Sequence, residues 1–266
     1  MKISITHLTE YHYEHAVPYG LQELRLTPQS DSGQNIERWN LRLDGGEEQA
    51  QFLDQHGNKV MLISLEADSH RFAIRCEGEV ETIDSAGVVG PHGGYAPLWL
   101  YLRDTDLTRA GPGIEKLARG VGKGDDGDVG HLHKLAAAIT DAVAFEVGRT
   151  DAETTAEAAL AAGHGVCQDQ THIFLAAARL LGYPARYVSG YLLMENQIEQ
   201  EASHAWAEAH IEGLGWVGFD PVNRISPDER YIRMAYGLDY AEAAPISGVR
   251  FGKSPESLNV SIQVQQ

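Results

Sequence analysis

The sequence predicts an α+β protein: an all-β N-terminal region, followed by a cysteine-bearing helix packed on an antiparallel sheet. Three observations carry that expectation. Short runs of period-2 apolar alternation crowd the first 110 residues. A single strongly helical stretch follows Cys167, with apolar residues at Ile173, Phe174, Ala177, Ala178, Leu180 and Leu181. Beyond Pro184 the period returns to 2 in three further runs.

In the first half, Ile3-Ser4-Ile5-Thr6, Trp39 to Leu43, Val60 to Ile63 and Phe72 to Arg75 alternate, each bounded by turn residues. Gln55-His56-Gly57-Asn58 reads as a hairpin turn between two of them. A β-sandwich or curved antiparallel sheet follows. His12 and His15 lie three apart, which in a strand points them to opposite faces and disfavours chelation. The Asp125-Asp126-Gly127-Asp128 cluster lacks the ligand spacing of a calcium loop and reads as a solvated linker.

Glycine-rich stretches at 87–94 and 111–124 mark the passage between two domains, 1–110 and 111–266. A helix is expected over 129–147 with Asp128 as its N-cap, and a second over 154–162 with Thr154 and Glu157 in capping-box spacing.

The helix after Cys167 ends at Gly182, with Pro184 beyond it. Cys167 therefore occupies the first turn, where unpaired backbone N–H groups and the positive end of the helix dipole favour a thiolate. Downstream, Ser203 to Ile211 and Trp216 to Asp220 form a hairpin. His204, Trp206, Glu208 and His210 share one strand face, and Trp216, Gly218 and Asp220 share one on its neighbour. With the turn centred near residue 212, His204 and Asp220 fall directly opposite each other. A thiolate to attack a carbonyl, a histidine to carry the proton and an aspartate to orient the histidine are the parts of nucleophilic acyl transfer.

The segments GVCQD (165–169), ARYVSGYL (185–192), SHAWAEAHIEGLGWVGFDPVN (203–223) and YIRMAYGLDYAEAAPISGVRFG (231–252) resemble the bacterial transglutaminase-like family, whose members are described as cysteine proteases. The resemblance implies a papain-like or transglutaminase-like core behind a small β domain. It carries the nucleophile to Cys167, the base to His204 and the orienting acid to Asp220, in agreement with the triad read from the residues. Gln170 and Thr171 depart from the aromatic and small residues usual after the CQD. Gln170 is thus expected either to line the substrate cleft or to bond to a neighbouring strand. Trp206 is expected either to flank the cleft or to be buried, and the Gln168 backbone N–H is an oxyanion-hole candidate. Asp169, Glu208 and His210 are expected to be structural or solvent-facing.

The net charge of -17 disfavours polyanionic partners, nucleic acid and anionic membrane among them. The N-terminus lacks the apolar core of a signal peptide, and two distant cysteines do not make a disulfide framework. A cytoplasmic cysteine hydrolase acting on peptide or side-chain amides, with no cofactor or metal, is the expectation. A glutamine transamidase and a non-catalytic scaffold on the same fold are the alternatives.

Overall fold

The computed structural model describes residues 1–194, 197–252 and 254–266. Six long strands open the chain: β1 (Lys2–Val17), β2 (Tyr19–Thr27), β3 (Gln34–Asp44), β4 (Gly46–Leu53), β5 (Lys59–Leu65) and β6 (Ser69–Thr82). A short β7 (Val88–Gly90) follows, then α1 (Pro112–Gly120), α2 (Gly127–Ala142), β8 (Ala144–Phe145), α3 (Ala156–Ala162), β9 (His164–Gly165) and α4 (Cys167–Leu180). The chain continues through β10 (Ala185–Leu192), β11 (Glu199–Gln200), β12 (His204–Ile211), β13 (Gly215–Phe219), β14 (Tyr231–Gly237), α5 (Tyr240–Ala243), β15 (Ile246–Phe251) and β16 (Glu256–Gln265).

Two sheets, ordered β11-β16-β1-β6-β3 and β15-β2-β5-β4, face each other as a sandwich. Their alternation is the reason: Ile3 and Ile5 of β1 and Ile262 and Val264 of β16 point inward against Leu24, Leu26, Ile63 and Leu65 of the other sheet. The Gln55 to Asn58 turn connects β4 to β5 as the sequence predicts.

The division at residue 110 needs correction at both ends. β7 leaves the first segment to pair with β13, completing a third sheet ordered β14-β10-β12-β13-β7. β15 and β16 return from the second segment to pair with β2 and β1. Leu258, Val260, Ile262 and Val264 alternate strictly, so the signal for β16 was present in the chain. An unpaired β1 edge is what the returning strand covers.

Helix α4 is enclosed on all sides rather than along one face: every residue from Asp169 to Arg179 is buried. On β12 the small residues Ala205, Ala207 and Ala209 face it, which lets the helix lie close against the sheet. The opposite strand face carries Trp206 and Glu208, both buried toward the sandwich. Buried polar groups on the helix are used as ties. Arg179 donates to the carbonyls of Tyr101, Ala185 and Leu238 and to Thr108 Oγ1. Gly182 adopts the left-handed conformation expected of a C-terminal stop, φ 90°.

Two helix starts differ from expectation. The cap of α3 is Thr155, which accepts from the Ala158 N–H, while Glu157 reaches across to accept from the N–H groups of Gly111, Gly113 and Ile114 at the start of α1. Asp128 lies inside α2 and accepts the Tyr183 hydroxyl at 2.7 Å instead of capping its own helix. Helix α2 ends at Ala142, because residues 144–145 leave it as β8 to pair in parallel with β9. That pairing steadies the approach to Cys167.

Among the described residues, no helix is long and apolar enough to cross a membrane.

Candidate active site

Cys167 is the first residue of α4, as the sequence predicts, and its neighbours fix it there. The Asp169 carboxylate accepts the Val166 N–H and the Thr150 hydroxyl, both at 2.7 Å, so the turn into the helix is tied from two directions. A side chain at Gly165 would approach the same carboxylate to 2.6 Å, which explains the glycine.

His204 opens β12 and Asp220 follows β13. In the hairpin Ala207 opposes Phe219, His210 opposes Trp216 and Ile211 opposes Gly215. The turn is thus centred on Gly213, one residue later than expected, and the extended register would set Asp220 against Trp206. His204 and Asp220 are diagonal partners, not direct ones. A two-residue slip preserves the face, so the side chains still meet, His204 Nε2 to Asp220 Oδ2 at 2.6 Å.

Asp220 is fully buried and well supplied with donors: the Tyr231 hydroxyl at 2.8 Å, the Asn223 side-chain amide at 2.7 Å and the Asn223 N–H at 3.2 Å. Burial alone would raise its pKa, but the hydrogen bonds and charge of His204, with Asn223 and Tyr231, hold it below the usual carboxylate value. For His204 burial favours the neutral ring. Hydrogen bonding to Asp220 and to the Cys167 thiol, with the charges of both, overrides that and raises the imidazole to about 10. That shift favours the imidazolium form of the ring held on Asp220.

A cleft of about 820 Å³ opens on Cys167 and His204. Its apolar wall includes Phe145, Val147, Tyr187, Tyr240 and Val222, and Val260 and Ser261 close it from the sandwich side. Gln168 lines the cleft next to Cys167, with its side chain turned toward the carbonyls of Asp151 and Ala152.

The other two cleft candidates lie elsewhere. Gln170 is fully buried and donates to the Val143 carbonyl at 2.9 Å, tying α4 to the end of α2. Trp206 is buried beside His204, stacked on its ring with centroids 6.2 Å apart and edge-on to Tyr231 at 5.4 Å. It packs against the imidazole and does not line the cleft. Glu208 is structural, bridging Arg186 and Arg233 in the interior. Residues the sequence reading missed are Asn223, Tyr231, Tyr187 and Tyr240. Asn223 lies three positions past Asp220 in a Pro-Val-Asn turn, a local signal; the tyrosines depend on tertiary folding.

A half-buried cysteine at a helix N-terminus, sharing a cleft with a histidine on an antiparallel sheet, puts the chain in the class of cysteine-based enzymes. Residues 115–221 match the family model described as the transglutaminase-like superfamily, and residues 3–81 match the bacterial transglutaminase-like N-terminal region. The chain belongs to the transglutaminase-like superfamily, with the bacterial N-terminal region ahead of the core. An uncharacterized protein of Mycobacterium leprae is 25% identical over 289 aligned positions, covering 99% of this chain and 98% of the relative. An uncharacterized protein of Mycobacterium tuberculosis is 35% identical over 144 positions, 50% of this chain and 46% of that one. A crystal structure of a "Putative Cysteine Protease" from Cytophaga hutchinsonii superposes with a TM-score of 0.80 at 21% identity, covering 100% of this chain and 90% of that one. That likeness is one of fold.

Proposed function

We propose that this protein is a cysteine hydrolase in which Cys167, His204 and Asp220 act as a catalytic triad on peptide or side-chain amide bonds. The observation that carries the reading is that His204, held on Asp220 at 2.6 Å, lines the same open cleft as Cys167 at the start of α4. The imidazolium gives an anionic sulfur a cation to face. Attack on a carbonyl carbon forms the carbon–sulfur bond, His204 protonates the departing amine, and the resulting thioester is resolved by water for which His204 is the base. The Gln168 N–H, pointing from the helix start, is one donor for the oxyanion.

The glycine-rich segment 87–94 does not line the cleft, and the sandwich borders it through Val260 and Ser261 without filling it, which favours turnover over a purely scaffolding role. Two free thiols fit a reducing compartment, and we place the protein in the cytoplasm. We take its partner to be a peptide or protein amide, with nucleic acid and membrane excluded by its charge. The test is a panel of peptide and amide substrates offered to wild type and Cys167→Ala. Cleavage by wild type that vanishes in the variant supports the assignment, and equal rates overturn it.

A further inference from the structure

Tyr187 lies on β10 at the back of the cleft, one strand away from His204. It is 2% exposed, and its ring is held between His172, at 5.3 Å between centroids, and Tyr240, at 6.1 Å. His172 is itself fixed, its Nε2 accepting the Tyr240 N–H at 3.1 Å. Buried hydroxyls are as a rule satisfied. Other buried donors on the cleft wall are: Ser189 donates to the Ala243 carbonyl at 2.6 Å, and the Gln200 amide to the Leu192 carbonyl at 2.8 Å. The Tyr187 hydroxyl makes no hydrogen bond among the described residues, yet its side chain borders the cleft. Of the charges around it, that of Cys167 acts on it most strongly.

We infer that Tyr187 is a second oxyanion donor, a catalytic hydroxyl that hydrogen-bonds the carbonyl oxygen as Cys167 attacks. This rests on Cys167 being the nucleophile. The sulfur lone pair forms the bond to carbon, the carbonyl π pair moves onto oxygen, and the Tyr187 O–H and Gln168 N–H donate to it without giving up their protons. Collapse returns the pair to the carbonyl, breaks the carbon–nitrogen bond and delivers the His204 proton to the amine. Tyr187 is suited to donate only, since burial, followed by the charges of Cys167, Tyr240, Asp169 and Asp239, keeps its proton in place far above neutral pH. A rigid donor on a strand needs no reorganisation as charge develops. Tyr240 also borders the cleft, but it is only partly buried and sits on the four-residue α5.

Two reactions of Cys167 separate this role from any effect on the nucleophile itself. Alkylation by iodoacetamide is a displacement at saturated carbon and forms no oxyanion. Acetylation by p-nitrophenyl acetate passes through one. Tyr187→Phe, which removes only the hydroxyl, is expected to alkylate at the wild-type rate at pH 6 and to release p-nitrophenolate in single turnover roughly 100- to 1,000-fold more slowly. Rates are corrected with Cys167→Ala, and Tyr240→Phe, which removes the neighbouring hydroxyl on the cleft wall, is expected to lose less in acetylation than Tyr187→Phe. The alkylation rate shows in the same sample that the site is folded. Acetylation within threefold of wild type overturns the proposal. So does a parallel loss in both reactions, which would put Tyr187 at the thiol, or a loss carried by Tyr240→Phe instead. A wild type that neither alkylates nor acetylates at Cys167 refutes the nucleophile assignment itself, and the proposal with it.

Discussion

Asp220 Oδ2 accepts His204 Nε2 at 2.6 Å while the same oxygen takes the Tyr231 hydroxyl and the Asn223 amide. Three donors on one oxygen mean that the carboxylate does not rotate away from the ring. Asp220→Asn replaces an anion with a group that also donates, so the imidazolium loses its counter-charge. The expected result is a kcat/KM lowered by about 10²–10⁴ with the fold retained. His204→Ala should cost nearly as much as loss of the nucleophile, and the double variant should be far from additive. Additive losses in kcat/KM would show that the two residues do not cooperate.

The two thiols should differ sharply. Burial pushes Cys76 up to about 12, so it stays a thiol at any working pH. At pH 6 iodoacetamide should label Cys167 alone, as read by peptide mass mapping. Cys167→Ala should abolish turnover and leave the thermal midpoint close to wild type. Cys76→Ser should keep turnover and cost about 1–3 kcal/mol from a buried hydroxyl with no partner.

Acid should destabilise the fold before its carboxylates titrate. Burial lowers His7 to about 4, and burial with the charge of Arg179 lowers His172 to about 3. Both are neutral when folded and protonate near pH 6.5 when unfolded. Their contribution is therefore complete above pH 6.5 and is lost as pH falls toward those folded values, with a slope of up to about 2.7 kcal/mol per pH unit for two protons. His204 has the opposite sign: its contribution is complete below pH 6.5 and is lost as pH rises through about 10. Urea midpoints between pH 7 and 5 should fall, and His7→Gln should flatten the fall. A pH-independent midpoint in wild type would refute the assignment of neutral buried rings.

Gly190 pairs with His204 across β10 and β12, and a Cβ there would come within 2.1 Å of the Ile232 carbonyl oxygen and 2.6 Å of the Trp206 ring. Gly190→Ala should force Trp206 against the imidazole. A stability loss of about 1–3 kcal/mol and a lower kcat are expected from urea denaturation and steady-state kinetics. Wild-type kcat in this variant would mean that the packing of Trp206 is irrelevant to His204.

Water is the expected acceptor of the thioester. The cleft that reaches Cys167 is open to solvent, so water meets the thioester without a barrier. Incorporation of a labelled primary amine into a glutamine-containing protein should be slower than release of free acid from the same substrate. The reverse ranking, absent in Cys167→Ala, would make the protein a transferase.

The local parts of the site were legible because they are local: a helix start before Cys167, a glycine stop at Gly182, and a parity that puts His204 and Asp220 on one face. Their register was not, since it turns on whether residue 212 or Gly213 centres the hairpin, and either choice keeps the face. The roles of the polar residues of α4 were hidden for another reason. Gln170, His172 and Arg179 each meet a carbonyl or N–H from a distant segment, which the periodic pattern of the helix does not show. Trp206 was open between cleft and core, and only the packing against Tyr231 decides it. The return of β15 and β16 to the sandwich is likewise a pairing between ends of the chain that no window along it contains.

Val260 and Ser261, on β16, form one side of the cleft, yet β16 follows Cys167, His204 and Asp220 in the chain. During translation Cys167, His204 and Asp220 leave the ribosome while β1 still lacks its neighbour and that side of the cleft is missing. That border of the cleft is thus made last, and a chain cut before β16 would keep Cys167, His204 and Asp220 while losing the Val260 and Ser261 edge of the cleft.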